Sequence, residues 1–292
     1  MFPAPFAYER PTSVEEAVAA LEDEDARLLA GGHSLLTAVK ARALTPGTLV
    51  DVSGLPPLVG IDRDEQGLRI GAATTYATVL ADDRVQTNLP MLADALAAIG
   101  DPQIRNRGTV GGNLVQADPG ADLPAVALAG GATLTIVDDD GERTRALSEC
   151  YPADDGPDHE PAGDVDGDAV VTAVRFPESD ATGEAYVRRT HPATGYASVG
   201  IAARLWTDGE TVEDLRLAAT GLHRRPRRLA AAEAAARERP VGDAASLADA
   251  HAAEDVDADD VRGDPNVSGA HRYAILGAVT AAAIDRAVEV AR

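Results

Sequence analysis

The sequence predicts an α+β chain in two parts, and three observations carry that prediction. Strand-like and helix-like apolar patterns alternate through the N-terminal third, a run of strands beyond Pro177 gives way to Ala-rich helix, and residues 138–168 lose apolar pattern. Thr12 and Ser13 each stand three residues before a glutamate, Glu15 and Glu16, with Val14, Ala17, Val18 and Leu21 following at helical spacing, so a capped amphipathic helix opens the chain. Residues 27–30 read as a short buried strand entering Gly31-Gly32, and residues 48–52 as another. Leu68-Arg69-Ile70-Gly71 alternates like a strand, and residues 91–99 read as a helix stopped by Gly100.

Residues 138–168 read as a solvated loop, most acidic at Asp154-Asp155-Gly156-Pro157-Asp158 and Asp164-Val165-Asp166-Gly167-Asp168. Asp164, Asp166 and Asp168 have the alternate spacing of a calcium loop. Gly167 falls two positions too early, however, and Arg175 stands where the closing Glu belongs, which argues against a calcium site. Beyond a boundary at residues 177–182, residues 186–190, 198–206 and 215–220 read as three strands, and the chain from Arg227 onward as helix. There is no internal repeat.

Composition narrows the function classes. The 292 residues hold 48 acids against 26 bases, a net charge of −22, and Lys40 is the only lysine. That disfavours a sequence-independent nucleic-acid binder, which needs a basic face, and suits a salt-rich cytoplasm. Cys150 is the only cysteine, so an internal disulfide, a Cys-rich zinc site and an iron–sulfur cluster held by this chain alone are excluded. The N-terminus lacks the basic and apolar regions of a signal peptide. The longest uncharged stretch, residues 123–137, is broken by Pro124, Gly130 and Gly131 and is shorter than the roughly 18–20 residues of a membrane span. A soluble, cytoplasmic protein is expected. Arg224-Arg225-Pro226-Arg227-Arg228 reads as a solvated segment entering a helix, with a docking patch for an acidic partner as the alternative.

Two glycine-rich turns could carry chemistry: Ala30-Gly31-Gly32-His33-Ser34-Leu35-Leu36 and Arg105-Asn106-Arg107-Gly108-Thr109-Val110-Gly111-Gly112-Asn113-Leu114. Paired glycines let backbone N–H groups approach an anion closely, the route open to a lysine-poor chain for holding a phosphate. The Rossmann and P-loop glycine patterns are both absent, and Leu36 stands where a nucleophile elbow around Ser34 needs glycine. The six histidines, at 33, 159, 191, 223, 251 and 271, show no helical pairing for a metal.

In order along the chain, these two turns, Gly71-Ala72-Ala73-Thr74-Thr75 and Asp118-Pro119-Gly120-Ala121-Asp122-Leu123-Pro124-Ala125 resemble the FAD-binding medium subunit of the molybdenum hydroxylases, of the carbon monoxide dehydrogenase and xanthine dehydrogenase kind. The resemblance extends to Asp264-Pro265-Asn266-Val267-Ser268-Gly269 and Arg272-Tyr273. It implies an FAD-binding domain of the vanillyl-alcohol oxidase type over residues 1–178, with subdomains of about 1–55 and 56–178, and a small C-terminal α+β domain over 179–292 of the carbon monoxide dehydrogenase flavoprotein type. It also implies that Ala30, Gly31, Gly32, His33, Ser34 and Leu35, with Thr109, Val110, Gly111, Gly112 and Asn113, surround the FAD diphosphate, with Thr74 and Thr75 near the flavin. Asp122 would lie near the ribityl or adenosine part, Val171 against adenine, and Arg188 and Tyr196 near the ring. The chain departs from the family where Arg188 replaces a usual Lys, His191 lies near a usual Arg, and Gly195 replaces a usual Asp.

The function implied is electron relay: an iron–sulfur small subunit would deliver electrons from a molybdenum-bearing large subunit, FAD on this chain would pass them to a terminal acceptor, and the complex would be a dimer of heterotrimers. No residue of this chain need act on substrate. A free-standing FAD-dependent oxidoreductase and a flavin-free structural subunit are the alternatives.

Overall fold

In the computed structural model, which describes residues 2–151, 165 and 167–291, three sheets follow one another along the chain. The first is parallel, in the order β1-β3-β2, with β1 at Ala7–Glu9, β2 at Ala26–Leu29 and β3 at Thr48–Asp51. Parallel neighbours need crossovers, and these contain α1 (Val14–Ala19) and α2 (His33–Ala41). Ser13 caps α1 by accepting the Glu16 amide at 3.1 Å, while the Glu16 carboxylate accepts the Thr12 amide at 2.7 Å and its hydroxyl at 2.8 Å, so Thr12 and Ser13 share the expected box. Val14, Ala17, Val18 and Leu21 pack with Val50 and Val52.

The second sheet is antiparallel, in the order β4-β5-β8-β6-β7. After β4 (Ile61–Asp64) and β5 (Gly67–Gly71) comes a helical insertion: α3 (Tyr76–Leu80), α4 (Asp83–Asn88), α5 (Pro90–Ala98), α6 (Pro102–Arg105), α7 (Val110–Gln116) and α8 (Leu123–Ala129). The strands β6 (Thr133–Asp138), β7 (Gly141–Ala146) and β8 (Val170–Pro177) complete it. The uncharged stretch at 123–137 thus divides into α8, buried all round, and most of β6. β7 and the turn at Leu147–Cys150 correct the reading of residues 138–168 as loop: β7 has little apolar content and is ordered by its ladder to β6. The two acidic runs singled out there, with His159, lie outside the described residues apart from Val165, Gly167 and Asp168.

The third sheet, antiparallel in the order β12-β11-β10-β9, contains β9 (Gly183–Thr190), β10 (Ala197–Thr207), β11 (Val212–Thr220) and β12 (Arg227–Arg228). Both faces are buried, which explains the nearly continuous apolar run of β10. Tyr186, Ala202 and Ala218 join the core of α5 and α8, while Ile201, Ala203, Leu215 and Leu217 face α9 (Ala230–Ala236), α10 (Val241–His251) and α11 (Gly269–Ala291). The basic cluster is not a solvated segment. His223 and Arg224 are buried, Arg227 and Arg228 form β12 before the helix begins, and Arg228 forms a two-pronged pair with Glu233 at 2.6 and 2.7 Å. Arg204, buried in β10, pairs with Glu184 at 2.5 Å and donates to the Gly130 carbonyl at 3.0 Å, joining the third sheet to the end of α8.

Candidate functional site

The two glycine turns meet backbone to backbone. A Cβ on Gly31 would strike the Arg107 carbonyl and come within 3.0 Å of the Gly108 Cα, so only glycine allows this approach. Gly32, with φ +79°, turns the chain into α2, and the His33 ring Nε2 donates to the Ile104 carbonyl at 3.1 Å, tying that turn to α6. The amides of His33, Ser34 and Leu35 lie in the first turn of a nine-residue helix, where no intrahelical acceptor exists and the helix dipole is positive.

In the second turn, two of the amides are used within the chain. The Val110 amide donates to the Thr74 carbonyl at 3.2 Å and the Gly111 amide to the Ala72 carbonyl at 2.8 Å, while a Cβ on Gly111 would collide with Ala72. Val110 is buried as well, so Val110 and Gly111 fasten the turn to the segment after β5. Gly112 is exposed, and a Cβ there would stand 2.7 Å from Thr109 Oγ1 and 3.8 Å from the Ala30 Cβ. Thr109 Oγ1 and Asn113 Oδ1 are buried without a partner among the described residues. A buried polar atom without a partner is costly unless a ligand or water completes it. The orphaned hydroxyl, the side-chain-free space at Gly112 and the open amides of α2 together fit the diphosphate of a dinucleotide.

Thr74 and Thr75 divide their roles. Thr74 is 1% exposed, and its hydroxyl accepts the Gly60 amide at 2.9 Å and donates to the Gly60 carbonyl at 3.1 Å. Its hydroxyl is therefore engaged within the chain, holding the segment after β5 to Gly60. Thr75 is half-buried, caps α3 through the Thr78 amide and bridges to Thr109. Val171 lies opposite Ile136 in the β6–β8 ladder, buried in the second sheet's core.

A polar and aromatic cluster lies next to the second turn. The Asn113 side-chain amide donates to the Tyr76 phenol at 2.9 Å, and Gly108 sits on the Tyr76 ring. Burial pushes the Tyr76 phenol up to about 12, so it stays neutral. Asp122, 4% exposed, accepts from the Tyr186 phenol at 2.5 Å and from Arg188 Nη1 at 2.8 Å, and Arg188 Nη2 also donates to the Ala98 carbonyl. Burial pushes the Asp122 carboxyl up, opposed by Arg188 and Tyr186. Asp122 and Arg188 therefore satisfy one another and link the third sheet to the helical insertion. Tyr196, 57% exposed, lies against Gly120, and burial of its ring together with Asp118 and Asp122 raises its phenol.

Tyr76 and Tyr186 were not among the expected site residues. The available signal was compositional: the chain has only six tyrosines, and three of them, with Tyr196, belong to this cluster.

Comparison with known proteins gives two family matches: "FAD binding domain in molybdopterin dehydrogenase" over residues 4–179 and "CO dehydrogenase flavoprotein C-terminal domain" over residues 184–287. The glyceraldehyde dehydrogenase medium chain of Sulfolobus acidocaldarius is 34% identical over 227 residues, 77% of this chain and 79% of that one. The carbon monoxide dehydrogenase medium chain of Hydrogenophaga pseudoflava is 37% identical over 225 residues, 76% of each. A solved carbon monoxide dehydrogenase from Hydrogenophaga pseudoflava, lacking the Mo-pyranopterin moiety of its cofactor, superposes with a TM-score of 0.92 at 32% identity and covers 99% of both chains.

Proposed function

The chain belongs to the family of FAD-binding domains in molybdopterin dehydrogenases and carries the C-terminal domain of the CO dehydrogenase flavoproteins, and from that membership we infer that it is the FAD-carrying electron-transfer subunit of a molybdenum hydroxylase complex. It is an oxidoreductase subunit, homologous to dehydrogenase medium chains. The observation that carries the reading to particular atoms is the unpartnered Thr109 hydroxyl opposite Gly112, beside the open amides of α2.

When bound, FAD supplies electron exchange singly or in pairs, which the side chains lack. The chain's own residues supply position and charge. The amides of His33, Ser34, Leu35 and Gly112, with the Thr109 hydroxyl, would hold the diphosphate. Their donors do for this chain what lysines do elsewhere, because Lys40 is its only one. Gly31, Gly32, Val110 and Gly111 hold the two turns in register beneath it. Asn113 is oriented by Tyr76, and Tyr196 offers an aromatic surface for the flavin ring. Asp122 and Arg188 act on the site through the elements they join, and Arg188 in place of the usual Lys retains a two-point bond that an ammonium cannot reproduce in the same plane.

An iron–sulfur small subunit and a molybdenum-bearing large subunit are the proposed partners, in a dimer of heterotrimers. The medium-chain relatives and the single buried Cys150 support this, since one thiol cannot ligate a cluster. The net charge of −22 supports work in a salt-rich cytoplasm, and no described helix is long and apolar enough to cross a membrane. Native purification tests the proposal. The chain should copurify with a Cys-rich small subunit and a large molybdenum subunit, yellow with FAD; a lone, colourless chain would refute it.

A further inference from the structure

We infer that the open cavity between the β9–β10 turn and the start of α11 is a binding site for a phosphate monoester. The cavity, of about 440 Å³, lies within the size range of small-molecule sites. The loop motif Asp264-Pro265-Asn266-Val267-Ser268-Gly269, which the FAD site does not use, forms one wall of it.

Charge identifies the ligand. In a chain of 48 acids and 26 bases, the described lining contains Arg189, His191 and His271 and no carboxylate. His191 Nδ1 accepts the Ala193 amide at 3.2 Å, which leaves Nε2 carrying a proton to donate. Asp264, the acid of the adjoining loop, is already satisfied by the Asn266 amide at 2.7 Å, the Val267 amide at 2.9 Å and Arg272. Ser198, Asn266 and Ser268 add hydroxyl and amide donors. Ser268 also accepts the His271 amide at 3.2 Å, capping a 23-residue helix whose positive end adjoins the cavity. Val267 and Ile275 add an apolar surface for the body of an ester. A phosphate with a small organic group matches these features, its oxygens accepting from Arg189, from His191 Nε2 and from the hydroxyl and amide donors; a neutral ligand would leave the Arg189 guanidinium unused.

The test is calorimetric titration of the full-length, FAD-saturated chain at low ionic strength with adenosine monophosphate, adenosine and inorganic phosphate. Saturation keeps the diphosphate site closed to the probes, and a parallel titration of Gly112→Val separates this inference from the flavin reading. The expected result is one site for adenosine monophosphate, binding by adenosine at least tenfold weaker, and competition by inorganic phosphate. The double variant Arg189→Gln/His271→Gln, altered only at exposed positions, should bind the monophosphate at least tenfold more weakly, with unchanged flavin content and melting temperature. Three results would each overturn the inference: no binding of the monophosphate to the parent chain, adenosine binding as tightly, or undiminished binding by the double variant.

Discussion

Two adjacent glycines should respond in opposite ways to substitution. In Gly112→Val, the new Cβ meets only Thr109 Oγ1 at 2.7 Å and the Ala30 Cβ at 3.8 Å, and Gly112 lies within α7 on the exposed side. The apo chain should fold, helped by a few tenths of a kcal/mol from valine's better helix propensity, about 0.3 kcal/mol over glycine. The side chain nonetheless fills the space before the Thr109 hydroxyl. Losing two charge-assisted hydrogen bonds, from that hydroxyl and the Gly112 amide, at about 1.5–3 kcal/mol each, weakens FAD by roughly 10²- to 10⁴-fold. In Gly111→Ala, by contrast, the methyl is driven into Ala72, whose Cα and carbonyl oxygen lie 2.8 Å from its position. Overpacking of this kind costs about 1–3 kcal/mol or more. The assay measures the melting temperature of each apo variant, then FAD affinity by flavin fluorescence. Wild-type FAD affinity in a folded Gly112→Val chain would refute the placement of the diphosphate; equal destabilisation by both substitutions would refute the distinction between a ligand-facing and a packing glycine.

Three further outcomes follow from the packing and the charges. Asp122→Ala removes the acceptor of both Tyr186 and Arg188 and leaves the guanidinium unpaired, a loss of about 3 kcal/mol that denaturant unfolding should detect. Glu184→Ala, which strands Arg204, should be destabilising by a similar amount of about 3–5 kcal/mol, whereas Glu184→Leu with Arg204→Met should recover most of it, since apolar replacement of a buried pair is often neutral or stabilising. The Tyr76 phenol has a folded-state value of about 12 against an ordinary 10.0, so its contribution is present below pH 10 and is lost as pH rises through 12. Tyr76→Phe should therefore lose less stability than the parent chain between these limits, by roughly 3 kcal/mol. Unfolding curves at stepped alkaline pH, with phenolate absorbance as a second signal, measure that difference.

What could be read from the sequence was local. The α1 box needed only Thr12, Ser13 and Glu16, and the strands of the third sheet were visible in their β-branched and apolar runs, with ends displaced by a few residues. Both glycine turns stood out because two paired-glycine segments, each flanked by Ser, Thr or Asn, occur in one lysine-poor chain. What depended on distant partners was hidden. β7, with Glu142, Arg143, Thr144 and Arg145, becomes a strand through its register with β6. The Arg224–Arg228 run appeared solvated because nothing local indicates that β12 closes an edge of the third sheet. The division of labour within the second turn was likewise invisible: that Val110 and Gly111 give their amides to Thr74 and Ala72, while Gly112 stays exposed and the Thr109 hydroxyl is buried without a partner among the described residues, is a fact about two segments more than thirty residues apart in sequence.

Electron relay is tested most directly by acceptor reduction in the complex purified with its partner subunits, comparing the parent chain with Gly112→Val. With a substrate that bleaches the iron–sulfur clusters, both complexes should show cluster reduction, but only the one retaining flavin should reduce the terminal acceptor at a sustained rate. Undiminished acceptor turnover in a complex shown to lack FAD would contradict the account.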